Sequence, residues 1–226
     1  MLFIFLIYFI CFQSFKNITA EFTRTITKKE IVEEFVKGRI YYQAPQRIIL
    51  KVIKPVNQWI VLEDTIMLIY YPNEQKAFRF HSKNPFSLPF FQAFVSVVTD
   101  DFGLPKVGFS LTKSEIKGDT LLTYWEPPKQ IKKILGNTII GLTKNKLLFV
   151  EIRDTKGRKL AKTTYSNHFQ YGKNFFPLEI TSVVYEKDSF TIEKVVYTNP
   201  QFNVPLPKEV VNFKIPDNIE IKEIEW

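Results

Sequence analysis

The chain has 226 residues, 45% of them hydrophobic and 15% aromatic, with one cysteine and two histidines. That is enough apolar material for one sizeable core, and too little cysteine for a disulfide framework. The net charge is +8, from 31 Lys and Arg against 23 Asp and Glu; these charges are interspersed, the pattern of a solvated surface, which argues against nucleic acid as the partner.

The first element is an apolar run, Leu2 to Phe12 in MLFIFLIYFICFQSF. It is too short to span a bilayer comfortably and fits the apolar centre of a secretory signal peptide. No Lys or Arg precedes it, and Ser14 or Ala20 would have to serve at the cut. Residues 1–14 are therefore read as a signal peptide or an N-terminal apolar anchor, and residues 15–226 as a single domain. Cys11, the sole cysteine, lies inside the run; its removal would leave a cysteine-free chain, which suits an oxidising compartment.

Period-2 patterning follows, the mark of half-buried strands. EFTRTIT, FVKGRIYYQ, QRIILKVI, NQWIVLE, TIMLIYY and KAFRFHS succeed one another across short polar or proline breaks, including Pro45, Pro55 and Glu63-Asp64. Connections of hairpin length predict an antiparallel meander. The pattern changes in the stretch KNPFSLPFFQAFVSVVTDDFG. Phe91, Phe94, Val95 and Val98 fall at i, i+3, i+4 and i+7, one helical stripe, and Pro85 and Pro89 stand where a first helical turn tolerates proline. Strands resume with VGFSLTKSEIK and DTLLTYWE, the second stopped at Pro127-Pro128. KQIKKILGN is read as a short turn or helix. KLLFVEIRD and KLAKTTYSN flank the turn Asp154-Thr155-Lys156-Gly157, and FPLEITSVVYE and SFTIEKVVYT flank Lys187-Asp188; both are hairpin signals. The tail VNFKIPDNIEIKEIEW adds one more strand. The expected fold is mainly β, with roughly eleven antiparallel strands and one or two helical segments in the middle. A sheet that long must curl, and the central helix can cover its concave face.

The search for chemistry is thin. His81 and His168 lack ligand spacing to a cysteine or to each other, so no zinc site is expected. There is no G-x-S-x-G elbow, G-x-G-x-x-G or P-loop. Glu33 and Glu34 would point to opposite faces of a strand, and Asp100-Asp101 reads as a turn. The run Lys129 to Lys133 reads as solvated surface. What remains is an apolar interior larger than a sheet needs for itself, which is either a filled core or a cavity for lipid. Patterning nominates the lining: Phe22, Ile40, Ile48, Leu50, Val52, Leu68 and Tyr70 on strands, and Phe91, Phe94, Val95 and Val98 on the helix.

The order of features resembles the LolA family, periplasmic carriers of outer-membrane lipoproteins. FKNITAEFTRTI stands for the family's early strand, with Arg24 where Gln is usual. GRIYYQAPQR supplies Gly38, Ile40, Pro45 and Arg47 of a glycine, strand, proline and basic-residue pattern. KPVNQWIVLEDTIMLIYYP supplies Pro55, Glu63-Asp64, Tyr70 and Pro72, and VNFKIPDNIEI closes the pattern through Phe213, Pro216 and Asn218. The resemblance implies a half-open antiparallel β-barrel of about eleven strands with a helical lid over an apolar cavity. It implies a monomeric, non-enzymatic periplasmic carrier without cofactor or metal. Such a carrier takes lipoprotein acyl chains from an inner-membrane lipoprotein-releasing transporter to an outer-membrane acceptor. Some family carriers gate the lid with an arginine four residues after the proline. Ile49 holds that position here, so Arg47, on the same strand face, is the lid-gating candidate. The alternative is a membrane-anchored lipid- or lipoprotein-binding sensor or assembly module of the same fold.

Overall fold

Alternating apolar residues, many of them aromatic or β-branched, favour strands, and strands dominate this computed structural model. It describes residues 15–45, 47–63, 65–81 and 89–225; the expected signal peptide or anchor, residues 1–14, and Pro85 lie outside them. Six strands come first: β1 (Asn17–Lys28), β2 (Ile31–Gln43), β3 (Arg47–Lys54), β4 (Gln58–Glu63), β5 (Ile66–Tyr71) and β6 (Lys76–His81). Helix α1 (Pro89–Val98) follows. Seven more strands are β7 (Ser110–Lys117), β8 (Thr120–Glu126), β9 (Leu135–Thr143), β10 (Lys146–Asp154), β11 (Lys159–Tyr171), β12 (Asn174–Tyr185) and β13 (Phe190–Phe202). A single-turn helix α2 (Lys208–Val211) and strand β14 (Ile221–Glu225) complete the order.

All fourteen strands form one sheet, in the order β14-β6-β5-β4-β3-β2-β1-β13-β12-β11-β10-β9-β8-β7. Two meanders, β1 to β6 and β7 to β13, are joined where β1 pairs with β13, Phe22 opposite Tyr197. The sheet is not closed; β14 and β7 are its edges. The sheet has more strands than the roughly eleven expected, and β9 was not among the segments read as strands: KQIKKILGN, read as a short turn or helix, overlaps its first three residues, and β9 pairs Ile140 with Val150 and with Thr123. The tail gives the one strand expected, but β14 pairs with β6 in parallel, Ile221 opposite Ala77, where an all-antiparallel sheet was expected.

Gly38 shows why the sheet bends near the middle of β2. A Cβ there would sit 2.4 Å from the carbonyl oxygen of Lys51 on β3. The two backbones approach too closely for any side chain, at a point where the register also shifts, as at a bulge that steepens twist.

Helix α1 forms over the predicted stripe. It buries Phe90, Phe91, Ala93, Phe94, Val95 and Val98, each large side chain contributing about 1.5–3 kcal/mol relative to exposure. Phe94 is the centre, 0% exposed, with ring centroids 6.0 Å from Tyr42, 6.2 Å from Phe176 and 6.1 Å from Tyr197. One side chain thus packs against β2, β12 and β13 together. The C-terminal turn is secured by side chains: Ser96 Oγ donates to the Gln92 carbonyl at 2.9 Å, and Gln92 Nε2 donates to the Phe102 carbonyl at 3.2 Å. Gly103, at φ +70°, turns the chain away; a Cβ there would meet Val95 Cγ1 at 2.7 Å.

The convex face is covered too, on the N-terminal meander. Tyr41, Ile49, Trp59 and Val61 form a second buried cluster with Val210 of α2. Phe213 stacks on Trp59 with centroids 4.9 Å apart. The apolar residues of QRIILKVI divide between the two faces: Ile48, Leu50 and Val52 pack under α1 and Ile49 packs under α2, while Ile53 is 57% exposed.

Candidate functional site

Helix α1 lies along the concave face without filling it. On one flank, toward β1 to β4, is a chamber of about 510 Å³. Its floor includes Phe22, Leu50, Val52 and Ile60, and its roof is Pro89, Phe90 and Phe91 of α1. Gly38 lies between Phe22 and Val52 in the sheet register. On the other flank, toward β9 to β12, is a second chamber of about 530 Å³. There the sheet contributes Ile140, Val150, Ile152 and Ala161, and α1 contributes Ala93 and Ser96. Pro89 and Val184 line both chambers, so the two meet at the N-terminal end of the helix. Each volume lies within the roughly 300–1,000 Å³ typical of small-molecule sites.

The flanks differ in electrostatics. Charged residues of the first chamber are Arg24, Glu34 and Glu193. Arg24 donates to Glu193 and, at 2.6 Å, to Glu34, and its guanidinium lies 5.8 Å from the Phe90 ring centroid. β1, β2, β13 and the start of α1 are thus tied through one side chain. Among the described residues the second chamber has no charged lining; its polar residues are Gln92, Ser96, Thr138, Thr163, Tyr165 and Ser182. Several satisfy one another, as Thr163 Oγ1 and Ser182 Oγ do at 2.9 Å. Burial pushes the Tyr165 phenol well above its usual range, opposed by a smaller pull from its hydrogen bond to Ser96. Near the C-terminal end of α1, burial with the nearby Asp100 charge pushes the Tyr42 phenol up to about 12. All of these groups stay neutral at physiological pH, which spares the chamber the cost of a buried charge.

The twelve nominated residues divide into three groups. Phe22, Leu50, Val52 and Phe91 line the first chamber. Ile40, Ile48, Phe94, Val95 and Val98 belong to the same concave-side cluster but are not in the lining of either chamber. Leu68 and Tyr70 are corrections: they face the convex cluster of Tyr41, Ile49 and Trp59. Their partners on β4 are Val61 and Trp59, and Met67 and Ile69 take the concave side instead. Arg47 is the other correction. It lies on the face opposite α1, 18% exposed, donating from Nη1 to the Val211 carbonyl at 3.1 Å and pairing with Glu63 at 3.3 Å. It holds α2, and the arginine placed against α1 is Arg24.

The whole second chamber escaped sequence reasoning. The alternation in Val150/Ile152, Ala161/Thr163/Tyr165 and Ser182/Val184 was present as a signal, but Ala, Thr and Ser on the inner face read as neither core nor site. His81 pairs with Glu223 at 2.8 Å at the sheet edge, and His168 bonds the Leu147 carbonyl at 2.8 Å. Among the described residues no group of three or more His, Cys, Asp or Glu is placed to hold a metal ion, and no helix is long and apolar enough to cross a membrane.

A long curled sheet with one helix along its concave face defines an open, lidded half-barrel. No family model matches the chain, and no curated protein matches it in sequence. Solved structures do match in fold. A domain named for outer membrane lipoprotein sorting, from Vibrio parahaemolyticus, superposes with TM-score 0.65 at 13% identity, covering 88% of this chain and 91% of that one. A LolA superfamily protein from Nitrosomonas europaea gives 0.58 at 10% identity, with 86% and 89% covered. A DUF1329 family protein from Desulfovibrio piger gives 0.61 at 14% identity, with 89% and 91% covered. The fold is that of LolA-superfamily and lipoprotein-sorting structures; at these identities the likeness is one of fold.

Proposed function

We propose that the protein is a periplasmic carrier that buries acyl chains of lipoproteins without covalent chemistry and shuttles them from an inner-membrane releasing transporter to an outer-membrane acceptor. The observation that carries this reading is the open apolar space held between α1 and the concave sheet. A filled core would close it, because protein interiors pack to near-crystalline density. An acyl chain of about 16 carbons has a gross transfer free energy of about 12 kcal/mol at about 0.8 kcal/mol per CH₂. Water cannot host that chain in transit, and a dry chamber can. Direction comes from differential affinity along the route, so no energy source is required in the carrier. The fold likeness to a lipoprotein-sorting domain supports the same reading. It acts as a monomer and needs no cofactor.

The test is uptake of a fluorescent fatty acid by the purified domain, with native mass spectrometry of protein recovered from a Gram-negative periplasm. Bound lipid and saturable uptake are expected. A folded protein that carries no lipid and takes up none refutes the carrier.

A further inference from the structure

We propose that the cargo is a two-chain lipid that straddles helix α1, with one acyl chain in each chamber and the linkage between them at Pro89 and Val184. The inference rests on the carrier reading and adds to it the number of chains and their placement.

Three observations carry it. The chambers are nearly equal, about 510 and 530 Å³. A methylene is close in size to a water molecule, whose share of liquid volume is about 30 Å³; a 16-carbon chain therefore needs about 480 Å³. Each chamber is on the scale of one such chain. Second, α1 lies between the chambers and is packed onto the sheet. Phe94 is wedged among Tyr42, Phe176 and Tyr197 of β2, β12 and β13, so the partition is a packed contact. Third, at Pro89, the first residue of α1, both chambers share lining with Val184 of β12. Val184 is 41% exposed, which places this meeting point at the surface. Two chains can enter there from one head that stays in water. Among the described residues the ionic lining is on the first flank, with Arg24 held between Glu34 and Glu193. A diacylglyceryl unit has the required shape, whether it is attached to a lipoprotein or belongs to a free phospholipid.

The experiment measures stoichiometry and affinity by native mass spectrometry and calorimetry on the described domain, using palmitate, a dipalmitoylated lipopeptide and dipalmitoyl phosphatidylglycerol. Palmitate should bind at two per protein. The two-chain probe that matches the cargo should bind at one per protein, and about 10²–10⁴-fold tighter than palmitate, because its second chain enters at high effective concentration. Tight binding of the lipopeptide alone identifies a lipoprotein source; tight binding of both identifies any diacylglyceryl unit. Val36→Trp blocks the first chamber and Ala161→Trp the second; Ile152→Trp is a second route to the latter. Each folded variant should bind one palmitate and lose the two-chain advantage. Palmitate at one per protein in the unmodified chain overturns the inference and leaves the carrier standing. So does an unchanged stoichiometry in both Ala161→Trp and Ile152→Trp, or a two-chain probe no tighter than palmitate. No binding of any probe overturns both readings.

Discussion

Replacing Phe94 with alanine would test whether α1 is anchored by one residue. Phe94 is 0% exposed and meets three aromatic rings at centroid distances of 6.0 to 6.2 Å. Deleting a buried phenylalanine side chain costs about 3–5 kcal/mol, and the upper part of that range applies because the ring-to-ring contacts add to the area lost. With a urea slope of about 2–3 kcal/mol per M, the midpoint should fall by about 1–2.5 M. Urea unfolding followed by far-UV circular dichroism measures this, with Ile31→Ala as control; Ile31 is 68% exposed and its loss should stay within about 0.5 kcal/mol. Hydrogen exchange should show the amides of α1 losing protection first, since the sheet keeps its own ladder. A Phe94→Ala midpoint no lower than that of Ile31→Ala would refute the wedge, and with it the partition between the chambers.

Alkaline pH should weaken the fold. The Tyr42 phenol is raised from 10.0 to about 12, chiefly by burial and then by Asp100, so its contribution is full below pH 10 and is lost as pH rises toward 12. Buried Tyr165 and Tyr197 are shifted in the same direction. Thermal unfolding at pH 8 to 11.5 should show a falling midpoint and a shallower fall in Tyr42→Phe; a flat profile contradicts the burial. A double-mutant cycle on Arg24 and Glu193, whose side chains are 22% and 13% exposed, should give a coupling of about 1.5–3 kcal/mol, as for hydrogen bonds to charged groups. The exposed pair Lys28 and Glu186 should give at most about 1 kcal/mol, and equal couplings would remove Arg24 as a tie between β1 and β13. Val210→Asp should detach α2 from Tyr41, Ile49 and Trp59; dye binding and self-association should rise, and unchanged Trp59 fluorescence would show that the cover stays in place.

How much was legible depended on whether a pattern had one face to report. The i, i+3, i+4, i+7 stripe located α1 because a helix lying on a sheet must bury one side. The parity of Ile48, Leu50 and Val52 against Arg47 and Ile49 was readable because charged Arg47 and Lys51 mark the less buried face. IMLIYY offers no such mark: apolar residues occupy both faces, so Leu68 and Tyr70 were set on the wrong side. Arg47 was matched to the lid because it shares a strand face with Ile49, the position four residues after the proline, and parity says nothing about where a C-terminal helix returns. Arg24 looked like an ordinary strand residue, since its two carboxylate partners lie 10 and 169 residues away.

The sequence by itself determined local conformation and the segregation of apolar side chains, because strand alternation, helical periodicity and proline stops are written in neighbouring residues. That was sufficient for a curled antiparallel sheet with a helix in the middle. Tertiary structure alone decided the rest: the parallel addition of β14, the covering of the convex face by α2, and the division of the concave space into two chambers. These depend on which distant surfaces meet and on how completely they fill the volume between them, and no short window of sequence contains that.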